Sequence, residues 1–355
     1  MVGIIAEYNP FHNGHLYHLK KVKELFPNET ITLVLAGHFL NRGDISVINK
    51  WDKTQLALEY GIDLIVELPF TLSSQASDIY AYGAISILNH LQCNYLVFGS
   101  ELNNINKLTN YIKDDASIKD YLKQGFNYPT AFAKANGYCN TPNDLLGVSY
   151  IKAIKKLNSN IKPISIKRTN DYHSLNLDSK ITSATSIRKA YKENKDISNY
   201  VPNETLKYIK NISLDDYFLY LKHQIIIDDI NKYQTMDEKL ANRIKKNIEN
   251  CFSLDELIMK VKTKNYTYNH IKRSLVHILC GLLKDNYTLE YIRVLGFNKK
   301  GQAYLNKIKK EITIPLITHY DKRLDIELQV TKVYALVYGN DIIKKEIQNK
   351  PIIKN

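Results

Sequence analysis

Short apolar or β-branched runs recur along the first half of the chain, at residues 2–6, 30–36, 63–68, 95–98 and 163–166. Between them, at 16–25, 50–60, 77–91 and 143–156, apolar residues return at helical spacing. Short runs bounded by turn residues read as strands, and the i, i+3, i+4 repeats read as helices. Strands that alternate with helices predict a parallel sheet covered on both faces. Residues 103–142 read as a mostly helical insertion ending in a loop with Gly137 and Pro142. Beyond about residue 195 strand-like runs become rare, and amphipathic segments dominate at 206–222, 236–250, 253–262, 268–284 and 300–310. The pattern divides the chain into an α/β domain over 1–195 and an α-helical, basic domain over 196–355, with 196–203 as the linker.

Ligands of open parallel sheets bind beyond the C-terminal ends of the strands. The residues with chemistry fall there. His12 and His15 follow the first run, and Gly37-His38-Phe39-Leu40-Asn41-Arg42-Gly43-Asp44 follows the second. Glu67-Leu68-Pro69 ends the third, Gly99-Ser100-Glu101 follows the fourth, and Lys167-Arg168-Thr169 the fifth. The turn from Glu7 to His18 lies between a strand and a helix start, which makes it a phosphate site in outline. Free backbone N–H groups and the positive end of the helix dipole are expected to face the turn. Gly14 allows close approach of the backbone, and His12 and His15 can donate to phosphate oxygens. A second motif, Thr182-Ser183-Ala184-Thr185-Ser186-Ile187-Arg188, opens another helical run. Its hydroxyls can cap the helix or donate to phosphate, and Arg188 can bridge two phosphate oxygens. Taken singly, each motif has a plain structural reading: a capped helix with a surface arginine, and a chance His-x-Gly-His. Together, in this order on one α/β domain, they make a stronger case for phosphate binding.

Composition narrows the reading. The 355 residues suffice for two domains with cores of their own, and 44% apolar with 24% charged residues is ordinary for a globular protein. No apolar run is long enough to span a bilayer. No secretory leader is expected, because the first strand-like run begins almost at Met1. Cys93, Cys139, Cys251 and Cys280 are scattered, which argues against a zinc site and fits a reducing cytoplasm. The net charge of +13 is concentrated: residues 241–310 hold 15 Lys and Arg against 5 Asp and Glu. Such a segment suits a nucleic-acid partner. Lys262, Lys264, Lys272 and Arg273, interleaved with Tyr266 and Tyr268, are the RNA-binding candidates. A solvated helix face is the alternative for them, as it is for Lys299, Lys300, Lys307, Lys309 and Lys310. Lys50, Trp51 and Lys53 open a helix near the mouth, as ligands of phosphate or another small anion or, for Trp51, as core. No metal-ligand spacing occurs, and nothing points to a protein partner.

The layout of the two phosphate motifs resembles the HIGH-type nucleotidyltransferase superfamily. The turn at 7–15, Arg42-Gly43-Asp44, Asn49-Lys50-Trp51, Asp63-Leu64-Ile65-Val66-Glu67-Leu68-Pro69 and Phe98-Gly99-Ser100-Glu101 are similar to one bacterial family, the tRNA(Met) cytidine acetate ligases. So are Pro142-Asn143-Asp144-Leu145-Leu146-Gly147, Ile166-Lys167-Arg168 and Lys262-Thr263-Lys264-Asn265-Tyr266-Thr267. His277-Ile278-Leu279 and Tyr291-Ile292-Arg293-Val294-Leu295-Gly296-Phe297-Asn298 extend the likeness over nearly the whole chain. Two departures are mild: Ala184 stands where many superfamily members carry a second Ser, and Asp144 and Leu145 vary their segment while Asn143 is kept.

The resemblance implies a Rossmann-like parallel sheet of the HIGH type followed by an α-helical C-terminal domain. It implies that ATP activates acetate to acetyl-adenylate, and that the N4 amine of the wobble cytidine of elongator tRNA(Met) then takes the acetyl group. His12, His15, Thr185 and Arg188 are then the catalytic residues, gripping the triphosphate. The ATP-binding positions map onto Ile4, Ala6, Glu7, Tyr8, Asn9, Pro10, Phe11, Asn13, Gly14 and Tyr17, with Gly99, Asn143 and Arg168. Acetate is ionised at neutral pH and needs no general base. Mg²⁺ is expected on the phosphates, with Asp44 and Glu101 as candidate outer ligands. Two alternatives stay open: an adenylyltransferase acting on a small phosphorylated acceptor, and an ATP-binding tRNA chaperone without catalysis.

Overall fold

The computed structural model describes residues 1–112, 115–126, 128–136, 141–168, 182–285, 287–348 and 350–355. Gly137, Cys139 and Thr169 lie outside the described residues. The five early runs all form strands: β1 (Val2–Ala6), β2 (Ile31–Ala36), β3 (Leu64–Leu68), β4 (Tyr95–Ser100) and β5 (Lys162–Lys167). They lie parallel in the order β5-β4-β1-β2-β3. Helices Asn13–Leu25, Lys50–Glu59, Ser77–His90 and Pro142–Lys156 make the crossovers. The pleat sends alternate side chains to two separate cores. Leu33, Leu35 and Ile65 face one cluster, and Val34, Leu64 and Val66 face the other. Near-continuous apolar strands are what such two-sided burial requires.

The C-terminal half is mostly helical, as its periodicity predicts, but it also returns to the sheet. β6 (Ile292–Asn298) pairs antiparallel with β3, and β7 (Leu316–Ile317) and β8 (Ile352–Lys354) pair parallel with β6. The sheet is therefore mixed, with eight strands. Pattern reading missed β6 because it stands alone among helical segments and carries the charged Arg293 at its second position. That charge is buried, and its partners come from far along the chain. Arg293 and Lys50 share Glu67 of β3 and Glu346 of the Asp341–Gln348 helix. Lys50 Nζ lies 2.6 Å from Glu67 and 2.8 Å from Glu346.

Other boundaries also shift. Residues 206–213 are not one long helix with 214–222: a short 3₁₀ turn, Leu214–Tyr217, leads into Phe218–Ile227. Helices Asp325–Tyr338 and Asp341–Gln348 are additional. The insertion is helical at Ile105–Asn110, Asp115–Lys123 and Tyr128–Asn136.

Candidate nucleotide site

The turn after β1 is held by contacts within the protein itself. Asn9 does not reach outward: its side chain donates to Ile45 O at 3.1 Å and accepts from the Val47 N–H at 2.8 Å. Tyr8 adopts φ 48°, and its buried ring packs edge-on against Phe11. Ile4, Pro10 and Phe11 are likewise buried, so they shape the turn from behind. Glu7 accepts from the Asn41 N–H at 2.9 Å, and burial raises its carboxyl above the ordinary range.

His12 caps the Asn13–Leu25 helix. Its Nδ1 accepts from the Gly14 N–H at 3.0 Å, while His15 Nδ1 accepts from the His12 N–H at 3.3 Å. The Asn13 N–H donates to Tyr200 O at 3.0 Å and the His15 N–H to His12 O at 2.8 Å. This corrects the expectation of free backbone donors at the helix start: those of 13, 14 and 15 are engaged. The rings take over the role. Each Nδ1 is an acceptor, so a neutral imidazole carries its proton on Nε2. Both rings are neutral at physiological pH. Burial, reinforced by Arg168 and Arg188, pushes His12 down to about 3. Burial, then His12, Arg168 and His18, holds His15 well below its ordinary value. The two ring centroids lie 3.9 Å apart, and Tyr8 and Phe11 pack against His15 at 4.8 and 5.8 Å.

The second motif comes to the same place. Ser183 caps the Ala184–Lys192 helix, accepting from the Ser186 N–H at 3.1 Å. Arg188 Nη1 donates to Asn9 O at 2.7 Å, and its other amine reaches Thr185 Oγ1 at 3.4 Å. Thr185 is exposed at the mouth. A third group stands at the end of β4. Glu101 accepts from Asn143 Nδ2 and lies 3.5 Å from Arg168 Nε, and a Cβ on Gly99 would come within 3.4 Å of the Arg168 chain. Of the remaining candidates, Ala6 and Tyr17 are half-buried on the same edge, and Asn13 holds Asn199 O at 2.9 Å through its side chain.

The residues near the mouth that sequence reading left open now have places. Lys50 is spent in the buried ion cluster, and Trp51 is core. Lys53 donates to three carbonyls, Glu7 at 3.0 Å, Ala36 at 2.7 Å and Gly37 at 2.8 Å, tying β1 to β2, and burial lowers its ammonium to about 7. Asp44 is paired with Lys272 and lies 3.8 Å from Arg188. Burial alone would raise its carboxyl, but Lys272 and Arg188 hold it below the ordinary range. Gly43 makes that contact geometry possible: at φ +71°, a Cβ there would sit 2.7 Å from the Arg273 N. Of the RNA candidates, Lys262 and Lys264 are exposed, whereas Lys272 and Arg273 are half-buried. Burial lowers the Arg273 guanidinium to about 10. Between the phosphate motifs and the helical half lies a cleft of about 330 Å³ that pattern reading did not foresee.

The site is an electropositive pocket at the strand ends, with two neutral imidazoles and two arginines around one turn. The model of the HIGH Nucleotidyl Transferase family matches residues 1–350, and the chain belongs to that family. Within it the likeness is narrower. The tRNA(Met) cytidine acetate ligase of Caldicellulosiruptor saccharolyticus is 37% identical over 99% of this chain and 98% of its own. That of Clostridium tetani is 35% identical over 100% of both. Thermotoga maritima TmcAL superposes at a TM-score of 0.90, with 26% identity over 99% of each chain. Its form bound with alpha-thio ATP gives 0.87 at 25% identity, over 99% of this chain and 98% of that one. The particular group is thus the tRNA(Met) cytidine acetate ligases.

Proposed function

We propose that this protein activates acetate with ATP and passes the acetyl group to the N4 amine of the wobble cytidine in elongator tRNA(Met). The observation that carries the proposal is the joining of both phosphate motifs by the Arg188 to Asn9 O hydrogen bond, beside the His12–His15 pair. An acetate oxygen attacks the α-phosphorus and the bond to pyrophosphate breaks. No base is needed, so the barrier falls by positioning and by stabilising charge on the departing group. The Nε2–H groups of His12 and His15 donate to the phosphates without adding charge, and Arg188 and Arg168 supply the positive charge. Thr185 offers a hydroxyl at the pyrophosphate end. In the second step the amine forms the new C–N bond, the acyl C–O bond breaks, and AMP leaves with the electron pair as the amine loses a proton.

Among the described residues no three His, Cys, Asp or Glu side chains gather as a metal site, and Asp44 and Glu101 already face cations. This donor set fits Mg²⁺ held chiefly by phosphate oxygens, with those two carboxylates at its outer edge. When bound, it would neutralise the charge on pyrophosphate. The basic helical half supplies the tRNA surface, with Lys262 and Lys264 exposed for backbone contact and Lys272 and Arg273 closer to the site. Among the described residues no helix is long and apolar enough to cross a membrane; a tRNA substrate places the protein in the cytoplasm.

Incubation with labelled acetate, ATP and a tRNA(Met) transcript tests the reading. Label is expected in the tRNA. No transfer beside an active relative, or pyrophosphate release driven by a small phosphorylated acceptor and not by acetate, sinks it.

A further inference from the structure

The cleft of about 330 Å³ shares Pro10, Thr185 and Arg188 with the phosphate site, so the two are continuous. Its far wall comes from the helical half. Its lining combines three chemistries. Val47 and Leu254 give an apolar wall, and Tyr268 an aromatic one whose hydroxyl is anchored to Asp255 at 2.8 Å. Lys189 and Lys192 stand exposed at the rim. Asp44 lies at the boundary with the phosphate site, held ionised between Lys272 and Arg188.

An apolar slot with an aromatic wall and a basic rim suits a base splayed from a polynucleotide strand. A carboxylate in such a slot accepts from the exocyclic amine of cytosine and finds no donor at that position of uracil. Asp44 has acceptor capacity left beyond its two cations, since an ionised carboxylate offers about four lone-pair sites. We propose that this cleft holds the acceptor cytosine and that Asp44 takes a hydrogen bond from its N4 amine, aiming the nitrogen at the acyl group beside Arg188. The assignment rests on the acetate-activation reading above. It gives Lys272 a role apart from RNA backbone contact: it fixes the Asp44 carboxylate from the helical half, so acceptor recognition joins the two halves of the chain.

Two reactions separate the steps: acetate-dependent exchange of pyrophosphate into ATP, and acetyl transfer to a tRNA(Met) anticodon stem-loop. Asp44→Asn and Asn211→Trp are compared with the wild type. Asn211 is exposed on the cleft lining, so the indole narrows the slot without entering a core. Asn211→Trp is expected to exchange pyrophosphate near the wild-type rate, which also reports that it is folded, and Asp44→Asn is read by its transfer rate relative to its own exchange rate. Asp44→Asn should lower the kcat of transfer about 100-fold through misplacement of the amine. Asn211→Trp should raise KM for the stem-loop about tenfold, the scale of a single base stack on an aromatic ring. Exchange and transfer falling in parallel in Asp44→Asn would assign the carboxylate to the phosphates and overturn the proposal. So would unimpaired transfer by Asn211→Trp. A wild type without acetate-dependent exchange brings down the acetate reading itself, and this proposal with it.

Discussion

Two clusters of charge share one sheet and do opposite things. At the end of β1, the neutral His12 and His15 stand with Arg168 and Arg188, whose carboxylate neighbours Glu101 and Asp44 stay 3.5 and 3.8 Å away. Across β2, Lys50, Arg293, Glu67 and Glu346 form a fully buried set in which cations and carboxylates balance. The difference lies in what each leaves open. The buried set closes on itself and joins β3, β6 and the last helix into one unit. The phosphate wall spends its Nδ1 atoms, its backbone donors and Arg188 Nη1 on its own turn, and keeps the Nε2–H groups and the remaining guanidinium donors for an anion from outside. A charged cluster whose valences are all met internally is structural; one with donors left over is a site.

The sharpest way to break that comparison is to open the closed cluster. Glu346→Ala leaves Lys50 and Arg293 short of a carboxylate. It should cost about 3–5 kcal/mol of stability, the usual penalty for an uncompensated buried charge, read from denaturant unfolding. A change much below 1 kcal/mol would show that the cluster is not needed to hold the C-terminal helix. Next comes His15→Ala. Removing one donor to developing charge should lower acetate-dependent pyrophosphate exchange about 100-fold, while tRNA binding is kept. Equal loss of both would count against a phosphate role.

A third effect concerns the exposed lysines. Lys262→Ala with Lys264→Ala should weaken tRNA binding and reduce the slope of log affinity against log salt by about 0.7 for each phosphate no longer neutralised. An unchanged slope would return both to a solvated helix face. The smallest effect is in the pH dependence of stability. His12 is held near 3 in the fold against about 6.5 in the unfolded chain, so only the unfolded chain gains a proton in mild acid. Its contribution is complete above pH 6.5 and is lost as the pH falls toward 3. At pH 5.5 the loss is about 1.4 kcal/mol. His12→Asn keeps a capping acceptor but takes no proton, so its unfolding curve should lose that acid slope.

Much of the α/β half was legible because its signals are local. Strand runs, helical repeats and caps all act within a few residues, and β1 to β5 appear within two residues of where the pattern puts them. The His12–His15 pair was legible for the same reason: its spacing and its place after a strand are sequence facts. That backbone donors would serve the phosphate was a wrong inference, because the carbonyl that occupies the Asn13 N–H belongs to Tyr200, far along the chain. β6 was hidden behind Arg293, whose buried charge becomes tolerable only beside Glu67 and Glu346.

By itself, then, the sequence determined the crossover architecture, the edge of the sheet on which chemistry gathers, and the residue types that meet phosphate. Those follow from periodicity and capping, which are short-range. Tertiary structure alone decided which charges close on one another and which stay open. Lys50 and Arg188 look alike as basic residues near helix starts, yet one finds two carboxylates and the other a carbonyl beside an open cleft. Coulomb and hydrogen-bond pairing act between groups that the fold brings together, and no local pattern records those meetings.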